Sequence, residues 1–218
     1  MTDAPEFLRQ LVHAAEAVVP EEMTMFLPPD DGSGRASAVL IVLCETTDGP
    51  SILLIQRAAD MRRHAGQVAF PGGAVDASDV DHVAAALREA QEEVGLNPAS
   101  VQTLGELPAI FIPPSGFVVT PVLAWWPHPH PVAPGDPAEV ARVEIVPIAE
   151  LADPANRFRV PHPSGWFGPG FEVRDLYVWG FTAMLLDRIL EMGGWGRPWD
   201  NGQQRPLPAA NSGRPTVG

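Results

Sequence analysis

Residues 53–96 read LLIQRAADMRRHAGQVAFPGGAVDASDVDHVAAALREAQEEVGL. Near the end of this stretch Glu89, Glu92 and Glu93 follow Arg88 at i, i+3 and i+4 spacing, which puts them on one face of a helix. Like charges at that spacing repel, so a purely structural helix has no use for them. Mg²⁺ and Mn²⁺ do, because hard divalent cations take clustered carboxylate oxygens. The other face carries the run Val83 to Ala86 with Leu87, Ala90 and Val94, apolar enough to pack on a sheet. Ser78 or Asp79 is the expected N-cap and Gly95 the expected stop. Upstream, Gly72-Gly73 lets the backbone approach a ligand closely, and the Gly73 carbonyl is an additional candidate metal ligand. The stretch predicts a metal site on a rigid helix, entered by a glycine-rich loop. The plain alternative is a solvated acidic face. The joint occurrence of the glycine pair, the glutamate spacing and Val94-Gly95-Leu96 argues against it.

Moving toward the amino terminus, Ser51 to Arg57 and Ala36 to Glu45 read as strands joined across the turn signal Asp48-Gly49. Gly66 to Phe70 is a further short strand. Phe7, Leu8, Leu11, Val12 and Ala15 follow a helical period over residues 4–18, which Pro20 ends, and Pro28 to Gly34 reads as loop. On the other side, Val101 to Leu107, Phe117 to Trp126 and Val140 to Val146 read as strands, the last two separated by the proline-rich WWPHPHPVAPGDP. Ile148 to Leu151 is a helical turn, Arg157 to Gly170 an irregular stretch with a hairpin, and Asp175 to Met192 a packed helix. Gly193 to Gly218, rich in Gly, Pro, Asn and Gln, is expected to be a mobile or loosely docked tail. The class is α/β, divided into residues 1–35 (helix and loop), 36–192 (main domain) and 193–218 (tail).

A chain of 218 residues with 45% hydrophobic content can bury a full core. Its net charge of −13 disfavours nucleic acid and anionic membrane as partners, leaving a small-molecule substrate as the expected one. All 14 basic Lys+Arg residues are arginines, which removes Schiff-base chemistry and a phosphate-loop lysine. The single Cys44, in AVLIVLCE, reads as a small buried residue rather than a catalytic thiol. With no internal disulfide possible, and no basic-then-apolar leader in MTDAPEFLRQ, the expected location is the cytoplasm. Arg57, Arg62, Arg63 and His64 form a basic cluster opposed only by Asp60. Guanidinium forks suit phosphate groups, so these four are the candidate substrate-binding residues, with Arg57 foremost. His128 and His130 read as solvent-exposed rather than metal-binding. Trp125 or Trp126 would stack on a base or serve core and rim. Trp166 and Phe167 would line a substrate subsite or a dimer contact, so a homodimer stays open.

The stretch resembles the Nudix box, G-x5-E-x7-R-E-U-x-E-E-x-G-U with U apolar. Arg88 to Leu96 matches its second half without a break. In the first half the acidic position is Asp79, not glutamate, and eight residues separate it from Arg88. Upstream, LLIQRAADMRRHAGQVAFPGG resembles the extended signature of the coenzyme A pyrophosphatase branch, with Ile55, Ala58 and Met61 as mild changes. That branch commonly carries the longer box. Pro114 to Val122, and Glu139-Val140-Ala141 before a strand ending in Val146-Pro147, resemble the same branch. The resemblance spans about residues 36 to 190. It implies a Nudix-type α/β/α sandwich with a mixed sheet and added N- and C-terminal helices.

The same resemblance implies that Glu89, Glu92 and Glu93 bind Mg²⁺ or Mn²⁺, with the Gly73 carbonyl helping. Arg88 would orient a neighbouring carboxylate. Glu89 is the first choice of general base and Glu139 the second. The implied activity is hydrolysis of CoA or its derivatives to 3′,5′-ADP and 4′-phosphopantetheine or its acyl form. The alternatives are a Nudix hydrolase of ADP-ribose, a dinucleotide or an oxidised nucleoside triphosphate, and a non-catalytic Nudix-fold metabolite sensor. The intact box glutamates weigh against the last.

Overall fold

The apolar run Ala36 to Cys44 forms the middle of strand β1 (Arg35–Thr46), which turns through Gly49 into β2 (Gly49–Arg57). The structure, a computed structural model, describes residues 4–61, 64–161, 165 and 167–208. β1 and β2 pair antiparallel only from Leu43↔Ile52 to Thr46↔Gly49. Beyond that the two strands part, and the FPGG segment fills the gap. β3 (Val68–Ala69) pairs with β2, β4 (Gly72–Ala74) pairs with β1, and the Leu40 N–H donates to the Pro71 carbonyl between them at 2.8 Å. The glycine-rich loop is therefore an integral part of the sheet. The strand expected over Gly66 to Phe70 shortens to Val68–Ala69 because Gly66 takes φ 66° in a turn.

After the helix α3 (His82–Val94) come β5 (Gln102–Glu106), β6 (Ile110–Ile112), β7 (Phe117–Trp126) and β8 (Val140–Pro147). β7 runs parallel to β1 from Arg35↔Phe117 to Cys44↔Trp126. β5 and β6 pair antiparallel with β7, and β8 with β2, so the sheet is mixed. Consecutive strand residues point to opposite faces. Trp125 meets Phe7, just ahead of helix α1 (Arg9–Ala17), with ring centroids 5.3 Å apart; Trp126 meets His130, which bonds the chain just after α3. The helices thus cover both faces, with helix α5 (Gly180–Met192) packed beside α1. This is the expected α/β/α sandwich. Both tryptophans are buried, so the core role applies to them and base stacking does not.

Several expectations fail on non-local pairing. Pro20 does not merely end the first helix; it occupies the first turn of a second, α2 (Pro20–Met23), where its missing N–H costs nothing. The short α4 (Ile148–Leu151) is as expected. The hairpin expected within Arg157 to Gly170 forms as β9 (Arg157–Pro161) and β10 (Phe167–Val173), and β11 (Leu176–Val178), expected as helix, pairs with β10 to make a separate sheet. The helix expected from Asp175 begins only at Gly180. Arg174 and Asp175, with φ of 49° and 62°, make the β10–β11 turn, held by Arg174 on Glu150 at 2.8 Å. After α5, the described part of the segment expected as a mobile or loosely docked tail, residues 193–208, makes specific contacts, and residues 209–218 lie outside the described residues. Gln204 bridges to Arg159, Arg205 pairs with Glu172, and the Tyr177 hydroxyl donates to the Pro206 carbonyl at 2.7 Å. Among the described residues no helix is long and apolar enough to cross a membrane.

Candidate active site

α3 starts at Asp81, whose side chain accepts the Ala84 N–H at 2.7 Å, and ends at Gly95 in the left-handed region at φ 70°. The cap is neither Ser78 nor Asp79. Asp79 is instead turned onto the helix: Arg88 reaches both its oxygens, Nε and Nη2 each at 3.0 Å. Its Oδ2 also accepts the Asp76 N–H at 2.8 Å. The Arg88 guanidinium accordingly holds the Asp79 carboxyl below its ordinary range. A shorter side chain and one more loop residue still complete a fork-on-carboxylate clamp, so the departure from the box spacing leaves the brace intact. Arg88 also donates to the Ala74 carbonyl at 3.1 Å, tying β4 to the helix.

The same guanidinium reaches Glu89 Oε1 at 2.8 Å and Glu92 Oε2 at 3.2 Å. Glu93 turns the other way, accepting the Gly72 N–H at 3.0 Å and lying 3.6 Å from Arg57 Nη1. Among the described residues no three of these carboxylates converge on one point. Their surroundings nevertheless fit a hard cation. All donors are oxygens, Glu92 is exposed, and Glu93 is buried with the Gly72 N–H and the long Arg57 contact facing its charge. Gly73 lets the Glu89 carboxylate lie close against the backbone: a Cβ there would stand 2.6 Å from the Glu89 carboxyl carbon and displace that side chain. Its carbonyl accepts the Ser37 hydroxyl at 2.7 Å and keeps a second lone pair. Ser37 went unseen in the sequence; only the β1–β4 register, Ser37↔Ala74, brings it here.

Desolvation raises both Glu89 and Glu93, the latter to about 7, against the opposing pull of the Gly72 N–H and Arg57. The ordinary glutamate value is 4.5. In the metal-free protein, ionising Glu93 thus costs nothing below the unfolded value and about 3 kcal/mol once the pH passes the folded one. Stability should therefore fall as pH rises from about 4.5 to 7. A cation that needs Glu93 ionised should bind and stabilise more at pH 8 than at pH 5.5. Thermal unfolding with and without Mn²⁺ at the two pH values checks this; an equal stabilisation at both would contradict it.

Arg57 ends β2 beside the box, as expected. Its Nε is buried with no hydrogen-bond partner among the described residues. The segment after it turns back sharply: Gly66 N–H donates to the Ala58 carbonyl at 3.2 Å, and Arg57 N–H to the Gln67 carbonyl at 2.9 Å. His64, at φ 57°, holds Gln67 through Nδ1 at 2.8 Å. Arg62, Arg63 and Trp166 lie outside the described residues. Glu139 arrives from the loop before β8. Its carbonyl accepts the Ala58 N–H at 2.9 Å, and its charge helps raise Glu93. Phe167 stacks under Arg159, 5.1 Å from the guanidinium carbon, on the separate sheet. Cys44 is buried, which pushes its thiol up to about 11 and fits an inert residue. His130 is not a free surface histidine: its Nε2 accepts the Asn97 N–H at 3.2 Å.

The fold and these residues define a Nudix hydrolase, and the chain belongs to that family: a NUDIX domain model matches residues 34–165, more than half of it. Among curated relatives, the chain is 44% identical over 168 residues to a protein of Citrobacter koseri, covering 73% of this chain and 83% of that one. It is 41% identical over 167 residues to one of Cronobacter sakazakii, with the same coverage. Both carry the name "Uncharacterized Nudix hydrolase NudL". Among solved structures, the Nudix hydrolase RenU of M. smegmatis matches with a TM-score of 0.53 at 21% identity, covering 77% of this chain and 90% of that one. A Nudix hydrolase of Nitrosomonas europaea matches at 0.50 and 17%, covering 79% of each. These two likenesses concern the fold alone. Nudix hydrolases generally use divalent metal ions such as Mg²⁺ or Mn²⁺.

Proposed function

We propose that this Nudix hydrolase cleaves the diphosphate linkage of coenzyme A or its derivatives, giving 3′,5′-ADP and 4′-phosphopantetheine or its acyl form. The observation that carries the reading is the placement of the 53–71 signature. Its described residues include β2 and β3 on either side of the turn after Arg57, whose Nε has no hydrogen-bond partner among the described residues and whose Nη1 lies 3.6 Å from Glu93. A phosphate-seeking fork thus stands at the edge of the carboxylates.

Glu89, Glu92 and Glu93, with the Gly73 carbonyl, would hold Mg²⁺ or Mn²⁺. The cation supplies neutralisation of the diphosphate charge and acidifies the attacking water. The chain's own residues do the rest. Arg57, with His64, Arg62 and Arg63 close after it in sequence, binds phosphate groups. Arg88 fixes Glu89 relative to β4 through Asp79 and the Ala74 carbonyl. Glu89, desolvated against Gly73, accepts the proton of the attacking water; Glu139 is the second candidate for that role. The water oxygen joins one phosphorus, the bond from that phosphorus to the bridging oxygen breaks, and the bridging oxygen leaves with the other phosphoryl group.

The test is a substrate panel with Mg²⁺ and Mn²⁺, with products identified by mass. CoA should be turned over about tenfold or more better than dephospho-CoA, because a site built to pair the 3′-phosphate is left with unpaired cations by the analogue. Absence of 3′,5′-ADP from every CoA compound would overturn the proposal. ADP-ribose or a dinucleotide as the best substrate would favour the other Nudix specificities.

A further inference from the structure

The proline-rich segment before β8 lies against the C-terminal end of α3. That end is already closed once: Gly95 N–H donates to the Gln91 carbonyl at 3.0 Å and Leu96 N–H to the Ala90 carbonyl at 3.4 Å. The next carbonyls belong to the box. Gly135 N–H donates to the Glu93 carbonyl at 2.9 Å and Ala133 N–H to the Val94 carbonyl at 3.1 Å. A Cβ on Gly135 would stand 2.0 Å from the Glu92 carbonyl oxygen. His130 adds a third fastening through Asn97, with Nε2 accepting at 3.2 Å and Nδ1 therefore free to donate to the Pro131 carbonyl at 2.9 Å. At its far end the segment bonds Ala58, at the root of the loop that follows Arg57, through the Glu139 carbonyl.

We infer that residues 127–139 form a strap that positions the metal-binding end of α3, with Gly135 and His130 as positioning residues. The hydrogen bonds fall on the main chain of Glu93 and Val94, Gly135 abuts the Glu92 carbonyl, and the strap's other end holds the root of the substrate loop. The only side chain that fits between strap and helix at Gly135 is hydrogen. A carbon–oxygen contact needs about 3.3 Å, so any Cβ there must push the helix end or the strap aside by about 1 Å. Metal sites tolerate only about half that before ligand geometry is lost.

The inference rests on the metal reading above, and the experiment separates the two. Mn²⁺ binding is measured on the full chain by electron paramagnetic resonance, beside denaturant unfolding of the metal-free protein. Wild type should bind Mn²⁺; its failure to bind would remove the metal reading and the inference with it. Gly135→Ala should weaken Mn²⁺ binding about tenfold while unfolding cooperatively. His130→Ala, which removes a fastening without adding an atom, should weaken it about threefold, and it decides the matter if Gly135→Ala does not fold. Wild-type Mn²⁺ affinity in folded Gly135→Ala, or in His130→Ala if that is the only one that folds, would overturn the strap's role while leaving the metal site standing.

Discussion

Replacing Glu92 and Glu93 together by glutamine should lower kcat by about a thousandfold and leave the fold intact. Glutamine keeps the shape and the carbonyl acceptor but removes the negative charge that a hard cation requires. Glu92 is exposed and shares Arg88 with Glu89 and Asp79, so its loss leaves that clamp standing. Glu93 is buried at 6% side-chain exposure, and its charged form is the unfavourable one in the absence of metal. A neutral amide there relieves the desolvation, so the metal-free variant should be at least as stable as wild type above pH 7. Activity and stability are thus expected to move in opposite directions, which a general folding defect would not produce. Steady-state kinetics at saturating Mg²⁺ and thermal unfolding at pH 8 decide it. Retention of full activity by the double variant would remove these carboxylates from catalysis.

Arg88→Ala should cost about a hundredfold in activity, and Arg88→Lys should recover little of it. One guanidinium makes five contacts, two on Asp79 and one each on Glu89, Glu92 and the Ala74 carbonyl. A lysine ammonium is a point donor without a planar fork and cannot span the loop, β4 and the helix face together. The loss should fall on kcat more than on KM, because Arg88 touches the carboxylates and not the Arg57 side of the site. A lysine variant of near wild-type kcat would show that charge alone suffices there.

Much of this was legible along the chain. The glutamate face of α3, its Gly95 stop, the β1–β2 turn and Arg57 at the strand end all depend on spacings of a few residues, which helix and strand periodicity convert directly into geometry. The buried strands also announced themselves as apolar runs. Ser78, Asp79 and Asp81 are all good caps locally, so the sequence alone does not select the N-cap. Arg88 engages Asp79 and leaves the capping to Asp81. The helix expected from Asp175 starts later because Leu176 and Val178, as apolar as the helix beyond, pair with β10 as a strand.

Local sequence thus carries the family, the sheet-and-helix class and the identity of the candidate carboxylates, since each is written within one continuous stretch. Contacts between distant segments assign the partners. Ser37 reaches the Gly73 carbonyl through strand register, Glu139 comes near Glu93 through the β2–β8 pairing, and Gly135 and His130 reach α3 across more than thirty residues. No periodicity encodes such distances. They arise when burial of the two helix layers on the sheet brings backbone donors and carbonyls together that the sequence keeps apart.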